Sequence, residues 1–204
     1  MTGDSRSTRL AALVRAVAPC VAGWKVYSAA LARETQVGLW QVIDFQLDKD
    51  ITSWRFTINL GLHDNGVESL LQWAPLNTQQ PSTAACQLRV RLGQLIDGRD
   101  RWWTLPSQGG PDRLAKELCS TIVRSAFRDL ESLQSRQGIV DAWLGGKHSV
   151  WLPASRMVLA GLLKQVGRAD EAMDVAASVV ADSLGSPSER WSKTVAGRLS
   201  QAAE

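Results

Sequence analysis

With 204 residues, 45% of them hydrophobic, the chain can bury one core of ordinary size, alone or with a helical appendage. Its net charge of +3 is spread over both halves, which excludes a basic arm or an acidic tail and gives only weak support for nucleic acid. No apolar run approaches the ~20 residues of a membrane span, and Arg6, Arg9 and Arg15 precede no signal-peptide core, so a cytoplasmic protein without membrane contact is expected.

In chain order, residues 1–7 are polar. Ser7 or Thr8 can cap a helix with apolar positions at Leu10, Leu13, Val14, Val17 and Val21, which Pro19 kinks or ends. Gly23 marks a break, and residues 24–34 read as a first strand with a turn at 35–38. The stretch 39–63 reads as two further antiparallel strands around a charged loop at 48–52. On the first, Leu39, Ile43, Phe45 and Leu47 share a face with one polar member, Gln41. On the second, Trp54, Phe56, Ile58, Leu60 and Leu62 form an unbroken apolar face. The opposite faces carry Asp44 and Gln46, and Thr57, Asn59 and His63, as in a sheet covered mainly on one side.

Asp64-Asn65-Gly66 reads as a turn, residues 67–73 as a short apolar segment, and 77–83 as a polar loop. Leu88, Val90 and Leu92 alternate with Arg89 and Arg91, which predicts a fourth strand over 86–96, with a helix as the alternative for its second half. Residues 102–105 are a short strand or an extended segment. Pro111 and Asp112 open a long amphipathic helix that holds the 3.6-residue period to about Ser135, and residues 139–144 add one or two turns before Gly145-Gly146. Residues 155–165 and 169–182 predict a helical hairpin, followed by a short helix that starts at Pro187. The phrase over 162–172 resembles the turn of a tetratricopeptide repeat. Such repeats need stacked neighbours and one unit is present, so an ordinary hairpin packed on the domain is the preferred reading.

Cys20, Cys86 and Cys119 are odd in number and far apart, which argues against a disulfide framework and predicts reduced, buried thiols. No Cys/His spacing fits a metal, no glycine-rich phosphate loop or nucleophile elbow occurs, and no cofactor is expected. Gly145 to Ser149, with Lys147 and His148, reads as a helix terminator.

Two groups of residues are candidate sites. Arg89, Arg91, Arg99 and Arg101 with Trp102 and Trp103 could form a basic, aromatic patch for nucleotide or single-stranded nucleic acid, or the rings could cover a sheet edge while Asp100 pairs with an arginine. Gln41, Asp44, Gln46, Asn59 and His63 are polar groups in otherwise apolar strands, and could line a ligand cleft or form a structural hydrogen-bond network.

An amphipathic N-terminal helix, the run Leu39-Trp40-Gln41-Val42-Ile43-Asp44-Phe45-Gln46, the strand Phe56-Thr57-Ile58-Asn59-Leu60-Gly61, and Arg99-Asp100-Arg101-Trp102-Trp103 after Leu92-Gly93 together resemble the bacterial domain-of-unknown-function family numbered 4304, over about residues 8–135. The resemblance implies an α+β fold and a bacterial source, and it implies no activity and no catalytic residues.

The expected fold is α+β: a mostly antiparallel four- to five-stranded sheet with helices on one face over residues 1–145, and a helical hairpin over 150–204 docked on it. The expected function is a non-catalytic protein-binding module, an immunity-type inhibitor or an accessory subunit, whose partner is another protein. Nine Trp residues, a ring type enriched at interfaces, motivate it. The alternatives are a nucleic-acid or nucleotide binder using the arginine patch, and an enzyme with a cleft on the polar sheet face.

Overall fold

In a computed structural model, residues 5–106, 108–146, 152–153 and 156–201 are described, the pair 152–153 by its backbone. Helix α1 (Arg6–Val17) starts two to three residues earlier than expected, because Ser5 rather than Ser7 or Thr8 caps it by accepting the Thr8 amide. Its buried stripe is Leu10, Leu13, Val14 and Val17. The expected first strand is two pieces, β1 (Lys25–Val26) and β2 (Ala30–Gln36), because the chain turns back on itself through the Tyr27 amide, which donates to the Ala30 carbonyl. Strands β3 (Leu39–Leu47) and β4 (Arg55–Asp64) pair antiparallel over their whole length, from Leu39 opposite Asp64 to Leu47 opposite Phe56.

The short apolar segment after β4 is helix α2 (Asn65–Leu71), because Asp64 Oδ1 accepts the Val67 amide at 2.9 Å and caps it. Both readings of 86–96 hold in sequence: β5 (Leu88–Arg91) runs directly into α3 (Leu92–Asp97). Strand β6 (Trp103–Thr104) pairs with the start of β4, and β7 (Leu152–Pro153) pairs with β5. The sheet order is β1-β2-β3-β4-β5-β7, with β6 on β4, and the four longer strands β2 to β5 are the expected ones. The fold is α+β, with an antiparallel sheet and helices packed on one face.

Helix α4 (Asp112–Ile122) continues through a π turn (Val123–Phe127) into α5 (Arg128–Ser132). Leu118, Ile122, Ala126 and Leu130 are all fully buried at four-residue spacing. That spacing outruns a 3.6-residue turn, and the wider π turn takes up the lag so that the stripe stays on the sheet. Cys20, just beyond α1, and Cys119 on α4 form a disulfide with Cα atoms 5.6 Å apart. The expectation of three reduced thiols is therefore corrected. A separation of 99 residues hides this pairing in the sequence, and only the packing of α1 against α4 creates it. Cys86 remains free and buried.

Helix α6 (Arg136–Leu144) ends at Gly145, while Lys147, His148 and Ser149 lie outside the described residues. Helices α7 (Arg156–Gln165), α8 (Ala169–Ser183) and α9 (Glu189–Gln201) complete the chain. Every residue from Met157 to Leu163 is buried, because α7 packs against α2, α6, α8 and α9 at once. Gly161 on α7 lets Val67 of α2 approach closely: a Cβ there would sit 3.2 Å from Val67 Cγ2. The apolar faces of α7 and of β3 and β4 belong to one continuous core, in which each fully buried Leu, Ile or Phe contributes about 1.5–3 kcal/mol.

Candidate functional site

The face of the sheet turned away from the helices is closed at one end and open at the other. At the closed end the segment 76–86 crosses the strands, and Leu76 and Cys86 pack on Ala30, Ala32 and Val42. Gly61 makes this possible, since a Cβ there would lie 2.5 Å from Cys86 Sγ. Burial pushes the Cys86 thiol pKa strongly upward, with the nearby Asp44 carboxylate adding to the shift, so the group is unsuited to act as a nucleophile.

Where this cover stops, an open cleft of about 910 Å³ remains. Its floor follows from strand register. Asp44 on β3 stands opposite Asn59 on β4, which stands opposite Arg91 on β5, and Arg89 lies one pleat away, opposite Gly61. Asn59 Nδ2 donates to Gln46 Oε1 at 3.0 Å. Ser82, Thr83 and Ala84 form one wall, and Gln94 and Asp100 close the other side.

Asp44 is the most constrained side chain in the cleft. Its Oδ2 accepts the Ser82 hydroxyl at 2.9 Å, the Thr83 hydroxyl at 3.1 Å and the Thr83 amide at 3.2 Å. Burial raises its pKa above the ordinary aspartate value, and these three bonds offset part of the rise. Its other oxygen, Oδ1, carries no such bond among the described residues and remains an open acceptor.

Most of the expected basic patch is internally neutralised. Arg91 donates to Asp100 and Arg99 to Asp97 at 3.2 Å, while Arg101 lies 3.9 Å from Glu117; Arg55, outside the expected patch, donates to Asp48 at 2.8 Å. Trp103 is buried and stacks on Phe56 with ring centroids 6.1 Å apart. Trp102 is partly exposed, with the guanidiniums of Arg55 and Arg91 over its ring at 5.7 and 5.8 Å. Arg89 differs from the others: it is exposed and has no hydrogen bond or ion pair among the described residues.

Two of the expected cleft residues lie elsewhere. Gln41 points to the helical side, where its Nε2 donates to the Leu130 carbonyl at 2.6 Å and the Leu133 carbonyl at 3.1 Å, and its Oε1 accepts from Arg33 Nε at 2.9 Å. It satisfies the carbonyls at the end of α5 that no helical amide reaches. His63 shares the face of Asp44 but is fully buried under the crossing segment, with Nδ1 2.9 Å from the Ala85 carbonyl and Nε2 2.9 Å from Glu68 Oε2. The cleft therefore unites Asp44, Gln46 and Asn59 from one candidate group with Arg89 and Arg91 from the other. It leaves out Gln41, His63, Arg99, Arg101, Trp102 and Trp103.

Ser82, Thr83, Gln94 and Asp100 were missed as site residues. Pro81-Ser82-Thr83 signals a local turn in the sequence, but nothing local connects it to Asp44, 38 residues earlier. Among the described residues, no group of three or more His, Cys, Asp or Glu side chains is placed to hold a metal ion.

The model of the family described as a domain of unknown function (DUF4304) matches residues 21–132, more than half of the chain. The chain belongs to the DUF4304 family. The matched span holds every residue of the cleft and ends at Ser132, the last residue of α5, leaving α1 and the helices from α6 onward outside it. No curated protein and no solved structure matches the chain. Among the described residues no helix is long and apolar enough to cross a membrane.

Proposed function

We propose that this DUF4304 protein is a non-catalytic binding module of a bacterial cell, acting as an inhibitor or accessory subunit, and that it holds a polar segment of a partner protein in the cleft between Ser82–Ala84 and Asp100. The observation that carries this reading is the charge balance of the cleft: one unpaired guanidinium, one open carboxylate oxygen, and side-chain amides between them. Such a mixture of donors and acceptors suits the main chain and side chains of a peptide. The nucleic-acid alternative draws support from Trp102 beneath two guanidiniums, and the four arginine–carboxylate pairs weigh against it. The enzyme alternative draws support from Asp44 and Asn59 in one concave site, and the removal of His63 from that site weakens it. A cytoplasmic location is part of the proposal, and the Cys20–Cys119 disulfide bears against it, since such bonds persist mainly in oxidising compartments.

The test is a photo-crosslinking residue placed at Ala84, which is exposed on the cleft wall, and irradiated in the native host. A discrete protein adduct that disappears in the Arg89→Gln background supports the reading. The absence of any adduct at Ala84, with adducts formed from probes placed elsewhere on the surface, overturns it.

A further inference from the structure

We propose that the cleft selects a peptide segment bearing a carboxylate, which pairs with Arg89 while neighbouring N–H groups of the segment donate to Asp44 Oδ1 and Asn59 Oδ1. This rests on the reading of the cleft as a peptide site and specifies its chemistry. The first support is the contrast among the arginines. Arg55, Arg91, Arg99 and Arg101 each face a carboxylate of this chain, whereas Arg89 has none among the described residues. Its neighbour on β4, Gly61, carries no side chain that could cover or pair with it, and its neighbour on β7, Leu152, is not a carboxylate. A guanidinium left open at a concave site is a fork for one planar anion.

The second support is the orientation of the floor. Asp44 Oδ2 is saturated by Ser82 and Thr83, and Asn59 Nδ2 is engaged by Gln46. Asp44 Oδ1 and Asn59 Oδ1 accept no hydrogen bond among the described residues, and these two cross-strand partners lie side by side in one row of the sheet. An occupant that presents N–H groups to these oxygens and an anion to Arg89 is matched here, as an acidic residue is with its own and adjacent main-chain N–H groups, while the second N–H of Asn59 Nδ2 can meet a main-chain carbonyl of the same segment. Polyanions fit poorly, because a run of phosphates along the cleft would face the Asp44 and Asp100 carboxylates. A single phosphate shares the guanidinium chemistry and is distinguished below.

The experiment is a titration of the full chain followed by amide proton–nitrogen correlation spectra. The probes are an acetylated, amidated tetrapeptide pool with glutamate fixed at one position, the matched pool with glutamine there, inorganic phosphate, and an oligothymidylate. The glutamate pool is expected to shift the amides of Ser82, Thr83, Ala84 and Arg89, with at least about tenfold higher affinity than the glutamine pool. Arg89→Gln should remove this preference and Arg89→Lys, which keeps the charge and loses the fork, should keep only part of it, with unchanged spectra away from the cleft showing that both variants fold. Equal affinity for the two pools at the cleft overturns carboxylate selection and leaves the peptide site standing. No cleft shifts with either pool overturns both readings. Phosphate binding tighter than the glutamate pool, or oligothymidylate binding that weakens steeply with salt, overturns carboxylate selection in favour of a phosphate-bearing ligand.

Discussion

Breaking the Cys20–Cys119 disulfide should remove a large share of the stability of the fold. The bond closes a loop of 99 residues in sequence separation, and chain-entropy arguments assign about 4.7 kcal/mol to a loop of roughly that length. Part of that figure is lost if the α1–α4 contact persists in the unfolded chain, and measured losses for native bridges are about 2–5 kcal/mol. For a chain of this size each kcal/mol moves the melting temperature by about 2–4 °C, so a fall on the order of 4–20 °C is expected. The assay is thermal unfolding by circular dichroism with and without a phosphine reductant, on wild type and on Cys119→Ser. Thiol titration of the denatured, unreduced protein should find one free thiol, Cys86, and reduction should expose all three. The reductant should destabilise wild type and leave Cys119→Ser unmoved. Three free thiols before reduction, or equal melting of wild type and variant, would show that the bond is absent or does not stabilise the fold.

Gly61→Ala should cost about 1–3 kcal/mol in urea unfolding, because its Cβ collides with Cys86 Sγ, and adding Cys86→Ala should recover part of the loss. Gln41→Leu should cost about 1–3 kcal/mol by leaving the buried Leu130 and Leu133 carbonyls without their donor, whereas a solvated strand glutamine would lose almost nothing. Arg136→Met should cost about 3–5 kcal/mol, because Asp64 Oδ2, which accepts Arg136 Nε at 2.6 Å, is left as a buried unpaired carboxylate. The double variant with Asp64→Asn should lose less than Arg136→Met alone, and a larger loss would show that the charge is not the cause. Asp44 makes a prediction in pH. Its folded pKa lies above the ordinary 3.8, so the folded state holds the proton more tightly than the unfolded chain, and this contribution to stability is lost as pH rises through the folded value. The stability of wild type relative to Asp44→Asn should therefore fall as pH is raised from below 3.8 toward neutrality, and a flat difference would contradict a raised pKa.

Elements whose signals are local and periodic are legible in the residues alone. Alternation over 39–47 and 55–64 identified both central strands and the faces turned to the helices, whereas the opposite face of β4, expected to be mainly uncovered, is buried at Thr57, Asn59, Gly61 and His63. Side-chain spacing marked α1, the long helix and the C-terminal hairpin, and the residues linked to the family lie mainly in strands that the family match covers. Contacts between distant segments were decided by the tertiary structure alone. The Cys20–Cys119 bond, the cover of Cys86 over Gly61, and the three bonds from Ser82 and Thr83 to Asp44 join residues 99, 25 and 38 to 39 positions apart. The same holds for the cleft. Periodicity places Asp44, Asn59, Arg89 and Arg91 on faces, but which arginine finds an internal carboxylate depends on how the turn at 97–101 returns to β5. Alternation along a strand depends only on backbone geometry, whereas pairing of a charge depends on every neighbour that folding brings within a few ångströms.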